Sequence, residues 1–209
     1  MPEPKPTAAL WLTTCITHQM TVIFIIMSIF LTATMAAALM RCSLRFRDMR
    51  DCIFREWGET SANQTIALLE YFLDAYNIDR EKVYANGYSG GGETMSLVMG
   101  KRPELFTAYL HCSSQWDGDL EVLAESRTPV YLAIGEGDEY YGSEPTKRAY
   151  DTLYGLYEQQ GLNESEIREI LVLDIKEGSY FRERGMNNQH GGGGLFAYDE
   201  NIMGWLFGK

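Results

Sequence analysis

The chain has 209 residues, enough for one domain with a buried core, and its 45% hydrophobic and 22% charged content excludes a globally disordered polymer. A formal net charge of −11, with 24 acidic against 12 basic residues after position 60, argues against nucleic acid and anionic membrane surfaces as partners and favours neutral or cationic small molecules. Cys15, Cys42, Cys52 and Cys112 show no C-x-x-C spacing and no neighbouring histidine pair, so no metal or other cofactor is expected; they permit disulfides without requiring them and leave the compartment open.

The N-terminal side is the unusual part. Residues 20–40 form an uncharged run of 21, long enough to span a bilayer as a helix, and Arg41, Arg45, Arg47 and Arg50 follow it. A membrane anchor fits the length, and the arginines would then leave the remainder in the cytoplasm. A secretory signal fits less well, because a single lysine precedes the run and the basic residues lie on the wrong side. A third reading makes residues 21–30 a buried strand and 31–40 a helix, and a fourth makes the segment foreign to the fold. The third is slightly preferred, since a central strand near residue 85 needs neighbours on both sides and residues 44–60 are too few to supply them. Residues 1–43 are therefore an unassigned apolar segment and residues 44–209 the expected catalytic domain.

Residues 61–76 are predicted as an amphipathic helix with Ile66, Leu69, Phe72 and Leu73 on one face, Ser61 as its cap and Gln64 completing a capping box. A polar turn over residues 78–82 leads into the apolar run Val83-Tyr84-Ala85, a short buried strand. Residues 86–93, NGYSGGGE, join that strand to good helix formers at residues 94–99, which Arg102-Pro103 stop. Strand, glycine-flanked serine and helix together fit the nucleophile elbow G-x-S-x-G at residues 87–91. A side chain two residues before or after Ser89 would collide with the neighbouring strand or helix, so glycine is required there for lack of room. The Gly90 N–H, at the helix start, points to where an oxyanion would form.

A serine hydroxyl needs a base, normally a histidine held by a carboxylate. Of the chain's three histidines, His18 lies far ahead of the elbow in the N-terminal segment, and His111 falls inside the predicted core strand 108–112, where a packed residue is the expectation. His190 remains, in a glycine-rich loop between the predicted strand 170–175 and an amphipathic helix near 198–207. The strongest strand pattern, residues 129–134, runs into Gly135-Glu136-Gly137-Asp138-Glu139. Asp138 is chosen as the orienting acid, with Glu136 and Glu139 solvated. Ser113–Asp117 follow strand 108–112, so Gln115 and Trp116 are candidates to line the substrate pocket. Tyr88 is a third candidate, packed under the site, and Tyr140 and Tyr141 rim its entrance. Residues 144–160 form another helix, ended by Gly161. Alternating strands and helices imply a mostly parallel sheet flanked by helices, an α/β class.

From about residue 57 onward, roughly three quarters of the chain, the sequence resembles an α/β-hydrolase serine esterase. It is close to the prolyl-oligopeptidase-like and polyhydroxyalkanoate-depolymerase-like esterases, which include feruloyl and acetyl esterases. The pieces that carry the likeness are NGYSGGGE, YLAIGEGDEYYG and NNQHGGG, together with the chain order serine, acid, histidine. The resemblance implies two-step transfer of a small or medium acyl or aryl group through an acyl-enzyme on Ser89, with Asp138 and His190 as its partners and a small-molecule ester as substrate. A peptidase is less expected, because family members that cleave peptides usually carry an extra domain. The chain departs from the pattern in lacking a His-Gly sequence ahead of the elbow, which normally supplies a second oxyanion donor. The alternative is accordingly a non-catalytic or membrane-anchored hydrolase relic with an incomplete oxyanion hole.

Overall fold

The computed structural model describes the backbone of residues 8–14 and 48–209, and the side chains from residue 58 onward. The readings of residues 20–40 as anchor, signal or strand plus helix, together with His18, lie outside the described residues. Five strands, β1 (Ala8–Thr14), β2 (Ile78–Tyr88), β3 (Ala108–Cys112), β4 (Val130–Gly135) and β5 (Leu171–Lys176), form one sheet in that order. Every neighbouring pair is parallel, as connections through helices dictate. The helices are α1 (Asp48–Ala75), α2 (Gly90–Met99), α3 (Leu120–Ser126), α4 (Glu144–Gln159), α5 (Glu164–Ile170), α6 (Gly178–Arg182) and α7 (Glu200–Phe207), with 3₁₀ turns at Pro103–Leu105 and Gly191–Tyr198.

Successive strand residues point to opposite faces, and the core divides accordingly. Val83, Ala85, Tyr109, Val130, Leu132 and Leu171 pack beneath α1 to α5, through residues such as Leu69, Met95, Leu123, Leu153 and Ile167. Tyr84, Ala108, Leu110, Tyr131 and Ala133 face the other way, against Phe181, Phe196, Ile202 and Leu206. Because both faces are covered, β3 and β4 are buried along their whole length, which is why they read as unbroken apolar runs.

Several expectations shift. The helix predicted from residue 61 begins at Asp48, so Ser61 and Gln64 lie inside it and form no capping box. No proline interrupts residues 48–60, and the hydroxyl of Thr65 donates to the Ser61 carbonyl one turn back, at 2.8 Å. The buried stripe is Ala62, Thr65, Leu69 and Leu73. Residues 78–82 belong to β2 rather than to a turn: Ile78 pairs with Ala8 of β1, and the ladder resumes at Leu10 and Val83 after a register shift. The strand beside β2 on the N-terminal side is thus Ala8–Thr14, which no sequence pattern had singled out. The glycine run after His190 is a 3₁₀ turn rather than an open loop. Gly161, with φ +84°, closes the helix before it, as expected. Among the described residues no helix is long and apolar enough to cross a membrane.

His111 is packed in the core, 1% exposed. Its Nδ1 lies 2.8 Å from the Tyr109 hydroxyl and its Nε2 3.3 Å from the Ser114 carbonyl. Burial pushes the imidazole down from 6.5 to about 4. The unfolded chain therefore binds the proton more readily than the folded one, and stability present above pH 6.5 is lost as the pH falls towards 4. Between pH 7 and 5 this amounts to about 2 kcal/mol. The urea midpoint of the wild type should fall accordingly, and less so in His111→Gln; equal falls in both would contradict the assignment. A second expectation concerns β1. Deleting residues 1–43 removes the strand paired to β2 and bares a sheet edge, so the truncated chain should be insoluble or inactive. Soluble, folded protein with an unchanged circular dichroism spectrum would show that β2 does not need this neighbour.

Candidate active site

The chain reverses direction sharply at the end of β2. Ser89 holds φ +54° and ψ −132°, a conformation that costs an L-residue on the order of 1–3 kcal/mol. The end of β3 holds it there. The Ser89 N–H donates to the Cys112 carbonyl at 3.1 Å, and the Ser114 hydroxyl donates to the Ser89 carbonyl at 2.7 Å. That carbonyl also accepts from the Gly92 and Glu93 N–H groups of α2, at 2.7 and 3.2 Å. A Cβ on Gly87 would lie 2.8 Å from the Gly91 carbonyl oxygen and from the Tyr109 hydroxyl, so no larger residue fits. After the serine, the marked close approach is at Gly92, where a Cβ would lie 2.5 Å from that of Ser114. Gly90 is the first residue of α2, so its N–H sits at the positive end of a ten-residue helix.

Ser89, His190 and Asp138 come together. Ser89 Oγ is 3.1 Å from His190 Nε2, and His190 Nδ1 is 3.0 Å from Asp138 Oδ2 and 3.2 Å from Oδ1. The network assigns the tautomer: Nδ1–H donates to the carboxylate and Nε2 accepts from the serine. The Asp138 side chain is fully buried in the turn after β4. Its Oδ1 also accepts from the backbone N–H groups of Tyr140 and Tyr141, at 3.0 and 2.9 Å.

His190 is held from several sides. The Tyr88 hydroxyl donates to its carbonyl at 2.8 Å, and the two rings stack with centroids 5.7 Å apart. The Glu139 carboxylate accepts from the N–H groups of His190 and Gln189, at 2.9 and 3.1 Å. The His190 N–H holds the Glu139 carboxyl below its usual range. Gln189 in turn accepts from the Gly137 N–H at 2.9 Å. Glu136 accepts from the Gly178 N–H at 2.8 Å. Glu136 and Glu139, expected as solvated, are exposed but tie backbone to backbone. Nothing local marks this, since their partners lie some 40 to 50 residues away. Below the histidine, a Cβ on Gly193 would come within 2.3 Å of Ser113 Oγ, and one on Gly192 within 2.4 Å of the Phe181 ring. The middle glycines of the run are there for close approach.

The remaining candidates separate. Gln115 donates to Asp117 at 3.1 Å. The Trp116 indole donates to the Gly118 carbonyl at 3.1 Å and packs on His111 and Tyr109. Both side chains are half-buried. Tyr140 and Tyr141 flank the His190 ring at centroid distances of 5.2 and 5.5 Å, and Tyr140 is exposed. The Tyr141 hydroxyl donates to Glu93 Oε1 at 2.9 Å. Burial, then the Glu93 charge, pushes the Tyr141 phenol up. Burial also raises the Glu93 carboxyl, against the Tyr141 bond. Glu93 was missed in the sequence, where its place in the first turn of a helix explains it without a site. Among the described residues no group of histidine, cysteine and carboxylate side chains is arranged to hold a metal ion.

The model of the prolyl oligopeptidase family matches residues 45–154. No curated protein sequence matches the chain. Among solved structures, a thermostable esterase is similar at 20% identity with a TM-score of 0.56, covering 69% of this chain and 35% of that one. A promiscuous esterase from a marine bacterial metagenome is similar at 13% identity and a TM-score of 0.47, covering 58% and 43%. A glucuronoyl esterase from Solibacter usitatus follows at 12% and 0.44, covering 57% and 44%. The chain therefore spans between about a third and under half of the length of these structures, and the first of them shows the α/β-hydrolase fold alone. The family model covers more than half of the 209 residues and includes the elbow, the β3 end that braces it and the β4 turn that carries Asp138, so the chain belongs to the prolyl oligopeptidase family.

Proposed function

We propose that the protein is a serine hydrolase that cleaves carboxylic esters of small or medium acyl or aryl groups through an acyl-enzyme on Ser89. The observation that carries this reading is the continuous hydrogen-bonded line from Asp138 through His190 to Ser89 Oγ, at 3.0 and 3.1 Å. Ser89 Oγ attacks the ester carbonyl as His190 Nε2 takes its proton, and Asp138 stabilises the imidazolium. The tetrahedral oxyanion forms against the Gly90 N–H at the start of α2. Collapse expels the alcohol with the proton from His190. Water, deprotonated by the same nitrogen, then attacks the acyl-enzyme and releases the acid and Ser89.

A fluorophosphonate probe should label Ser89 and no other residue, and Ser89→Ala or His190→Ala should abolish both labelling and release of p-nitrophenol from p-nitrophenyl acetate or butyrate. Labelling that survives His190→Ala would remove the triad, and absence of labelling and turnover in the wild type would leave a non-catalytic relic. A prolyl p-nitroanilide in the same assay separates ester from peptide-type substrates, which the family name brings into play; faster cleavage of the anilide would overturn the ester reading. Asp138→Asn should lower kcat by roughly 10³ to 10⁴, because the amide no longer fixes the tautomer. A loss confined to KM would show that Asp138 orients substrate rather than the base.

A further inference from the structure

The mechanism leaves one group beside the nucleophile unused. Glu93, four residues after Ser89 on α2, is half-buried, and no Lys or Arg among the described residues neutralises it. Its surroundings instead add Asp117, a second carboxylate. Desolvating a carboxylate without a cation is costly, and a single surface-type hydrogen bond does not require it. The group on its Oε1 is a hydroxyl, that of Tyr141, at 2.9 Å, whose ring flanks that of His190 at 5.5 Å, and the Glu93 N–H donates to the Ser89 carbonyl at 3.2 Å. Glu93 therefore lies in the first helical turn after the nucleophile, bonded to a tyrosine that flanks the base. An acyl or alcohol fragment seated on Ser89 would reach it within a few bonds of the scissile carbonyl.

We infer that Glu93, held by Tyr141, is the specificity-determining acceptor for a hydroxyl group carried by the substrate close to its ester bond, so that hydroxylated esters are preferred over their deoxy counterparts. This rests on the esterase reading and narrows it to a substrate class. The substrate hydroxyl donates to Glu93 either at Oε2 or at Oε1 in place of the phenol. A neutral donor is the chemistry already bonded there, which favours a hydroxyl over an ammonium.

The test uses the full chain and acid release at constant pH. Ethyl propionate, ethyl lactate and alanine ethyl ester place hydrogen, hydroxyl and ammonium on the same carbon; glycerol monobutyrate and propyl butyrate make the matching comparison on the alcohol side. In the wild type at least one hydroxylated ester should exceed its deoxy partner in kcat/KM by about 10- to 100-fold, as expected for a hydrogen bond to a charged acceptor. In the isosteric Glu93→Gln, and in Glu93→Leu where that folds, this ratio should shrink at least severalfold. A merely structural Glu93 would scale both members of a pair together and leave the ratio intact, which overturns the inference. Equal rates within both pairs in the wild type overturn it too, and so does a preference for the alanine ester that Glu93→Gln removes, which would make the site cationic in taste. If no ester is turned over above Ser89→Ala and no probe labels Ser89, the esterase reading itself falls and this subsite with it. Labelling and turnover without a hydroxyl preference remove the subsite alone.

Discussion

The positive φ of Ser89 is the constraint on which the site is built. A residue in that conformation returns to a relaxed one unless its neighbours over-determine it, and here they do so from the end of the next strand. The β3 terminus supplies the Cys112 carbonyl and the Ser114 hydroxyl, while Tyr109, two residues before His111, places its hydroxyl under Gly87. The buried pair of Tyr109 and His111 is thus a prop for the elbow as well as part of the core. Ser113 is itself at φ +42°, so both strands leave the sheet through strained serines, and the two turns lean on one another.

The histidine depends on a different kind of support. His190 stands at the end of a long connection from β5, as the cap of the 3₁₀ turn Gly191–Tyr198. Its carbonyl and its N–H are bonded to Tyr88 and Glu139 respectively, one from the elbow strand and one from the turn that carries Asp138. The backbone on either side is thereby located relative to the two residues with which its ring must align. Gly192 and Gly193 then let the following turn descend onto Phe181 and Ser113. Alignment of a base to within a few tenths of an ångström is what a proton transfer requires, and a bare glycine loop would not provide it.

Much of this was legible from residues alone, for identifiable reasons. β3 and β4 announce themselves because burial on both faces leaves no polar alternation, and the elbow because strand, tight turn and helix each leave a local signature. Ser89, Asp138 and His190 could be picked because the chemistry admits few residue types and the chain holds few histidines. What could not be read depends on partners distant in sequence. β1 is a seven-residue strand whose identity lies in its pairing with β2. The start of α1 was misplaced because Ser61 looks like a cap wherever it occurs, and only the preceding turns of helix show that it is not one. Glu136 and Glu139 look like any exposed carboxylates until the backbone they bind arrives from the far side of β5.

The charges around Ser89 also set where the oxyanion can form. Asp138 directs its two oxygens to His190 and to two backbone N–H groups, so its negative charge is spread over donors and would be matched by the imidazolium of the proposed attack. Glu93 has no such counter-charge among the described residues, and a full charge a few ångströms from the reacting carbon would oppose a developing oxyanion. Two features moderate this. The Tyr141 hydroxyl donates to the carboxylate and shields it. The positive end of α2, where Gly90 presents its N–H, offsets the remainder. A substrate hydroxyl bound to Glu93 would act in the same direction as Tyr141, drawing the carboxylate's charge away from the carbonyl. Recognition of the substrate and stabilisation of the oxyanion would then be favoured by a single contact, which is the condition under which binding energy raises turnover rather than only affinity.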